Sequence, residues 1–199
     1  MPTTFYLIRH AAHDLLGRTL VGRSDAVRLS EKGHRQSQQL AFRLMSVGLA
    51  AVYSSPLPRA RETAEPIARK AGLDVKVAPA ATEFDFGAWT GRPMDTLEGD
   101  PLWRRFNMFR STTAAPGGEL MLDVQSRIVA LLRELALRHP DSAVAIVSHG
   151  DVLRAAILHC LGMPLDLFLR IEIEPASISV VEVSEWSAKL VSLNEKVAG

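Results

Sequence analysis

Two uninterrupted apolar runs, each ending in a histidine, constrain this chain more than any other feature. Phe5-Tyr6-Leu7-Ile8 leads into Arg9-His10-Ala11, and Ala143-Val144-Ala145-Ile146-Val147 leads into Ser148-His149-Gly150-Asp151. A run of this kind, with no polar alternate, suits a central parallel strand covered on both faces. Open parallel sheets bind ligands beyond the carboxyl ends of their strands. His10 and His149 are therefore expected to meet in one site.

The rest of the chain alternates strand and helix. Residues 11–27 carry Gly17 and Gly22 with no period and read as a loop. Ser30 is placed to cap a helix bearing Leu40, Ala41, Leu44 and Val47 on one face, stopped by Gly48. Leu49 to Tyr53, closed by Ser54-Ser55-Pro56, is a third buried-type strand, and a helix follows over about Pro58–Lys70, ending near Gly72. Val75-Lys76-Val77 alternates weakly. An amphipathic helix is expected from Glu119 to His139, ended by Pro140, and another from Val152 to Leu161. Ile178 to Val183 and Leu190 to Leu193 flank a polar turn and read as an antiparallel hairpin or edge strands. The pattern predicts an α/β fold: a three-layer α/β/α sandwich with a mainly parallel central sheet and an antiparallel edge near the C-terminus, in one domain over residues 1–199. Residues 81–92 make a poor helix and a poor strand, and residues 94–118 are the hardest to assign. Their crowded Trp103, Phe106, Met108 and Phe109 read as packing or as a wall over the site.

Composition limits what such a site can recruit. With 23 basic and 22 acidic residues the formal net charge is +1, so no global field draws in nucleic acid or an anionic membrane. Anion recognition must come from local clusters. The single cysteine, Cys160, excludes an intrachain disulfide framework and reads as a packed thiol in a reducing compartment. No basic, apolar leader opens the chain and no segment reaches membrane-spanning length, so a cytoplasmic protein is expected.

The polar residues at the strand ends point to phosphoryl chemistry. Arg9 and His10 are adjacent, so both can serve one site only if the strand ends there and the backbone turns. Arg59 stands in the first turn of the helix after the third strand, where unpaired N–H groups and the dipole already favour anions. Guanidinium forks match phosphate oxygens. There is no Walker-type loop, HExxH pair or cysteine ligand set, so neither a metal nor a cofactor is expected. That leaves attack by an imidazole, kept unprotonated by the neighbouring arginines. Glu83, in a Gly-rich aromatic segment, is the candidate proton donor for the leaving group, with Asp85 as its rival.

Taken together, Leu7-Ile8-Arg9-His10, Gly22-Arg23-Ser24-Asp25, Leu29-Ser30-Glu31-Lys32-Gly33, the run Ser54 to Ala64, Glu83 with Gly87 and Gly91, Pro116-Gly117-Gly118-Glu119 and Val147-Ser148-His149-Gly150 resemble the histidine phosphatase superfamily, also called phosphoglycerate mutase-like. The resemblance runs nearly end to end. It implies that His10 is the phosphorylated nucleophile and that Arg9, Arg59 and His149 hold the phosphoryl group. Glu83 would be acid for the leaving group and then base for water, and Gly22 and Arg23 would lie in the substrate-binding loop.

The segment after His10 departs from the family pattern. Relatives commonly carry Gly, Glu or Gln, and Thr or Ser there, with an Asn a few residues on. Here the positions hold Ala11, Ala12, His13 and Leu16. Ala11 adds a methyl where backbone is expected to pass the phosphate, and Leu16 lacks a polar side chain. His13 reads either as a solvated loop histidine or as a replacement donor. Arg61 reads as a solvated helix face. The expected activity is a metal-independent phosphomonoesterase acting on a small phosphorylated metabolite. A phosphoglycerate mutase and an inactive phospho-ligand-binding module are the alternatives.

Overall fold

A computed structural model describes residues 1–197; the last two positions of the expected 1–199 domain lie outside the described residues. Four strands run parallel: β1 (Thr3–Arg9), β2 (Leu49–Ser54), β3 (Val75–Val77) and β4 (Ala143–Ser148). Two more, β5 (Ser177–Val183) and β6 (Ala188–Lys196), form the antiparallel hairpin, giving one sheet in the order β3-β2-β4-β1-β5-β6. The two histidine-tipped strands are immediate neighbours.

Side-chain alternation decides which helices cover which face. Phe5 and Leu7 of β1 and Val144 and Ile146 of β4 pack with α5 (Met121–Arg138) and α6 (Gly150–Cys160). Ile8, Ala145 and Val147 instead pack with α1 (Glu31–Leu44) and α2 (Pro58–Ala71). Both faces are apolar because both are covered, which is why the runs lack polar alternates. Burying each large apolar side chain contributes about 1.5–3 kcal/mol, and a one-residue slip would turn each of these residues to the wrong layer. The three-layer α/β/α sandwich expected from the sequence is the fold.

Local signals also hold. Ser30 caps α1, its Oγ accepting from the Gly33 N–H at 3.2 Å, and Gly72 ends α2 in the left-handed region at φ 69°. The 94–118 segment contains two short helices, α3 (Met94–Glu98) and α4 (Pro101–Met108). Trp103 and Phe106 pack onto Phe84, Phe86 and Trp89 with ring centroids 5.1–6.4 Å apart. Packing is therefore the main use of that aromatic cluster, while Met108 and Phe109 are exposed. Among the described residues no helix is long and apolar enough to cross a membrane.

Candidate active site

The parallel β1–β4 pair continues one step past the strands, where the His10 N–H donates to the Ser148 carbonyl at 2.8 Å. This brings the His10 and His149 rings to 5.1 Å between centroids. The strand ends at Arg9, and both Arg9 and His10 border the same cavity of about 190 Å³. Arg9 is anchored by Nη1 donating to the Ile173 carbonyl at 2.6 Å.

Each imidazole is held in a defined tautomer. His10 Nδ1 lies 2.8 Å from the Ala11 carbonyl. A carbonyl only accepts, so Nδ1 carries the proton and Nε2 keeps the lone pair. Arg59 Nε points at that Nε2 from 3.4 Å. Arg59 Nη2 donates to His149 Nδ1 at 3.3 Å, so the proton of His149 sits on Nε2 and reaches Ser55 Oγ at 2.8 Å. Burial, then Arg59 and Arg9, push the pKa of His10 well below the ordinary value. Burial and Arg59, followed by His10 and Arg9, do the same to His149.

Arg59 is fully buried at the start of α2. Besides the two histidines it grips the Gly22 carbonyl at 2.7 Å and the Ser24 carbonyl at 3.2 Å. Among the described residues neither Arg9 nor Arg59 has a carboxylate within 4.0 Å. One fully buried and one half-buried cation without counter-ions are costly unless an anion joins them.

Glu83 reaches the cavity from the segment after β3, its Oε2 3.7 Å from His149 Nδ1. Burial foremost, and then the charge of Asp151, raise its pKa to about 7, against the opposing pull of Arg59, the Phe84 N–H and Arg9. Its rival Asp85 turns away: one Oδ accepts from the Gly87 N–H at 2.9 Å and the other faces Arg23 at 3.6 Å. The Glu83 segment is pressed against residues 116–118. A Cβ on Gly87 would lie 2.2 Å from the Pro116 carbonyl oxygen, and one on Gly118 would lie 2.2 Å from that of Asp85. Only glycine permits this approach.

Several expected residues sit differently. Arg23, expected in substrate binding, stands outside the cavity: its Nε donates to the Glu83 carbonyl at 2.9 Å and its Nη2 pairs with Glu119 at 2.7 Å. Gly22 does border the cavity, and its carbonyl serves Arg59. Ala11 does not border the cavity. It is fully buried between α1 and α2, with the Ala11 N–H donating to Thr63 Oγ1 at 3.0 Å. His13 is no solvated loop histidine, being only 5% exposed with its ring 5.5 Å from that of His10. Arg61 is exposed, as expected.

Apart from Glu119, quoted in the Pro116-Gly117-Gly118-Glu119 motif without a role, sequence reasoning did not single out the supports. Glu119 accepts from the Asp85 N–H at 3.0 Å and pairs with both Arg23 and Arg127, and Arg127 Nη2 donates to the Glu83 carbonyl at 3.2 Å. On the opposite wall Asp151 is clamped between Arg110 at 3.0 Å and Arg154 at 3.4 Å. Arg110 is itself stacked between Phe106 and Phe168. The i,i+3 spacing of Asp151 and Arg154 was the one available signal.

The model of the histidine phosphatase superfamily (branch 1) matches residues 5–196, and the chain belongs to that family. A probable phosphoglycerate mutase GpmB of Cronobacter sakazakii is 35% identical over 189 residues, covering 92% of this chain and 87% of that protein. Among solved structures, a mycobacterial glucosyl-3-phosphoglycerate phosphatase superposes with a TM-score of 0.88 at 26% identity, covering 98% of this chain and 100% of the other. The phosphoserine phosphatase of Entamoeba histolytica, solved as a mutant with phosphoserine, gives 0.86 at 26% identity with 96% of each chain covered.

Proposed function

We propose that the chain, acting as one domain, is a metal-independent phosphomonoesterase that works through a phosphohistidine on His10. The observation that carries this reading is the lone pair of His10 Nε2, fixed by the Nδ1–H bond to Ala11 and facing the buried guanidinium of Arg59. Arg9, Arg59 and His149 bind the phosphoryl oxygens. His10 Nε2 attacks phosphorus as the bond to the ester oxygen breaks, and Glu83 gives its proton to the departing alkoxide. Glu83, now a carboxylate, takes a proton from water; the new O–P bond forms, the N–P bond breaks, and phosphate leaves. Preorganised positive charge stabilises the equatorial oxygens in both steps. The tuned carboxyl suits both roles, since a pKa of about 7 leaves it able to hold or release a proton near neutrality.

A cavity of about 190 Å³ supports a small phosphorylated metabolite as the substrate. Mutase activity is the second reading, favoured by the name of the Cronobacter relative. Against it, the aromatic residues between Glu83 and α5 pack on one another, and water has to reach only a cleft bordered by Leu16, Leu20 and Met94. The test is to incubate the protein, with chelator present, with p-nitrophenyl phosphate and with 3-phosphoglycerate. Phosphate release that disappears in His10→Ala supports a phosphatase. Isomerisation of 3-phosphoglycerate without phosphate release would replace that reading with the mutase, and binding without turnover would reduce the chain to a phospho-ligand module.

A further inference from the structure

His13 is a polar side chain that the protein leaves without a partner at the edge of the catalytic cavity. Its Nδ1 is shut off from solvent and receives no hydrogen bond, and among the described residues nothing bonds its Nε2 either. The ring borders the cavity, so with Nδ1 sealed, Nε2 is the nitrogen left to meet a ligand. Among the described residues Nε2 is thus a hydrogen-bonding atom at the cavity edge with no partner, open to a group that arrives with the substrate.

We propose that His13 is a specificity-determining residue that hydrogen-bonds a hydroxyl group on the leaving alcohol, making phosphomonoesters of uncharged, hydroxyl-bearing alcohols the preferred substrates over those of hydroxy acids. The inference rests on the phosphatase reading and names its substrate class. Three features support it. First, the imidazole is kept neutral. Burial, then Arg59 and Arg9, lower its pKa to about 4, so Nε2 meets a ligand as donor or as acceptor according to tautomer, and a hydroxyl can answer either. Second, its neighbours on that wall, Leu16, Leu20 and Val21, provide no charge to meet a carboxylate. Third, the cation across the cavity is already engaged: Arg154 faces Asp151 at 3.4 Å and Glu172 at 3.7 Å, and its Nε donates to the Ile171 carbonyl at 3.0 Å. A carboxylate on the leaving group would compete with these acids or with the phosphoryl group itself. A hydroxyl meets neither conflict.

Three-carbon esters isolate the effect: propyl phosphate has no free hydroxyl, glycerol 3-phosphate has two, and 3-phosphoglycerate keeps the C2 hydroxyl but carries a carboxylate in place of the C1 hydroxymethyl. In the wild-type protein kcat/KM is expected to favour glycerol 3-phosphate over each of the others by about tenfold, the scale of one hydrogen bond to a buried partner. In His13→Ala the glycerol-to-propyl ratio should collapse towards one, and His13→Gln, which restores a donor and an acceptor, should recover part of it. A ratio of two substrates in one preparation cancels any loss of folded protein. An unchanged ratio in His13→Ala, an equal loss on all three esters, or a wild-type preference for 3-phosphoglycerate would overturn the proposal. If wild-type protein hydrolyses none of these esters nor p-nitrophenyl phosphate, the phosphatase reading itself fails and takes the inference with it.

Discussion

His10 donates its Nδ1–H to the carbonyl of Ala11, the next residue in the chain, across 2.8 Å, so the backbone itself dictates which ring nitrogen is free. The dependence is local and does not require a carboxylate partner. Removing the ring in His10→Ala should lower hydrolysis of any monoester by roughly 10⁴-fold or more. Quenching wild-type protein during turnover of radiolabelled substrate should trap an acid-labile phosphoprotein. Label on the His10→Ala protein would place the covalent chemistry elsewhere.

The pH dependence follows from the two shifted groups. Glu83 must be protonated to donate, and with a pKa raised to about 7 it loses that proton as pH rises through neutrality. His10 must be neutral, and its pKa, held well below 6.5, keeps it so far into the acid range. For alkyl phosphates, kcat/KM is therefore expected to decline above about pH 7 with no matching loss just below it. A dianionic ligand raises a nearby carboxyl pKa further, so the falling limb of kcat should lie at higher pH than that of kcat/KM. A rate that climbs through pH 7 would remove Glu83 as the acid.

Glu83→Gln separates the two proton transfers. An alkyl ester needs a proton on its leaving oxygen and should lose about 10²–10⁴-fold. p-Nitrophenolate leaves without one, so phosphorylation of His10 by its ester should survive while hydrolysis of the phosphoenzyme stalls. Stopped-flow traces should show a burst of nitrophenolate followed by a slow steady state. An equal loss on both esters with no burst would argue against this division of labour.

Arg23 fixes the peptide of Glu83 and stands outside the cavity. Arg23→Ala should therefore reduce kcat, by roughly 10- to 100-fold for a displacement of about an ångström in the acid, with little change in KM. A rise in KM at constant kcat would return Arg23 to direct substrate contact.

Gly118→Ala would set a methyl 2.2 Å from the Asp85 carbonyl oxygen, and backbone must move to relieve it. A cost of about 1–3 kcal/mol is expected for such overpacking, visible as a drop of roughly 2–4 °C in Tm per kcal/mol. Because the displaced strand of chain leads to Glu83, kcat should fall alongside Tm. Unchanged melting would mean the two segments are not in firm contact.

The layers, the strand ends and the convergence of His10, Arg59, Glu83 and His149 were legible because each has a local signature: an apolar run, a helix start, a glycine-flanked acid. The linkage among the supports was not. Arg23, Glu119 and Arg127 come from a loop, the segment before α5 and α5 itself, and nothing in the composition of any one segment announces a partner in another. Of the two readings of His13, the solvated one fails: a histidine between Ala12 and Asp14 looks solvated in sequence, yet it is 5% exposed with its ring 5.5 Å from that of His10. Arg110 lies where no periodicity guides assignment, and its burial between Phe106 and Phe168 depends on a contact with the turns after α6.

The pairing of Thr4 with Ala143 has a bearing on how the molecule comes to life. His10 arrives with the first strand and His149 with the fourth, and no contact between neighbours in sequence can substitute for their meeting. The chain must tie together its distant ends before any catalytic constellation exists, and such long-range parallel pairing is intrinsically slow. Helical content should thus return early in refolding and turnover late. Recovered activity becomes a clock for the docking of β1 onto β4, and a chain still emerging from synthesis is silent until its last third is in place.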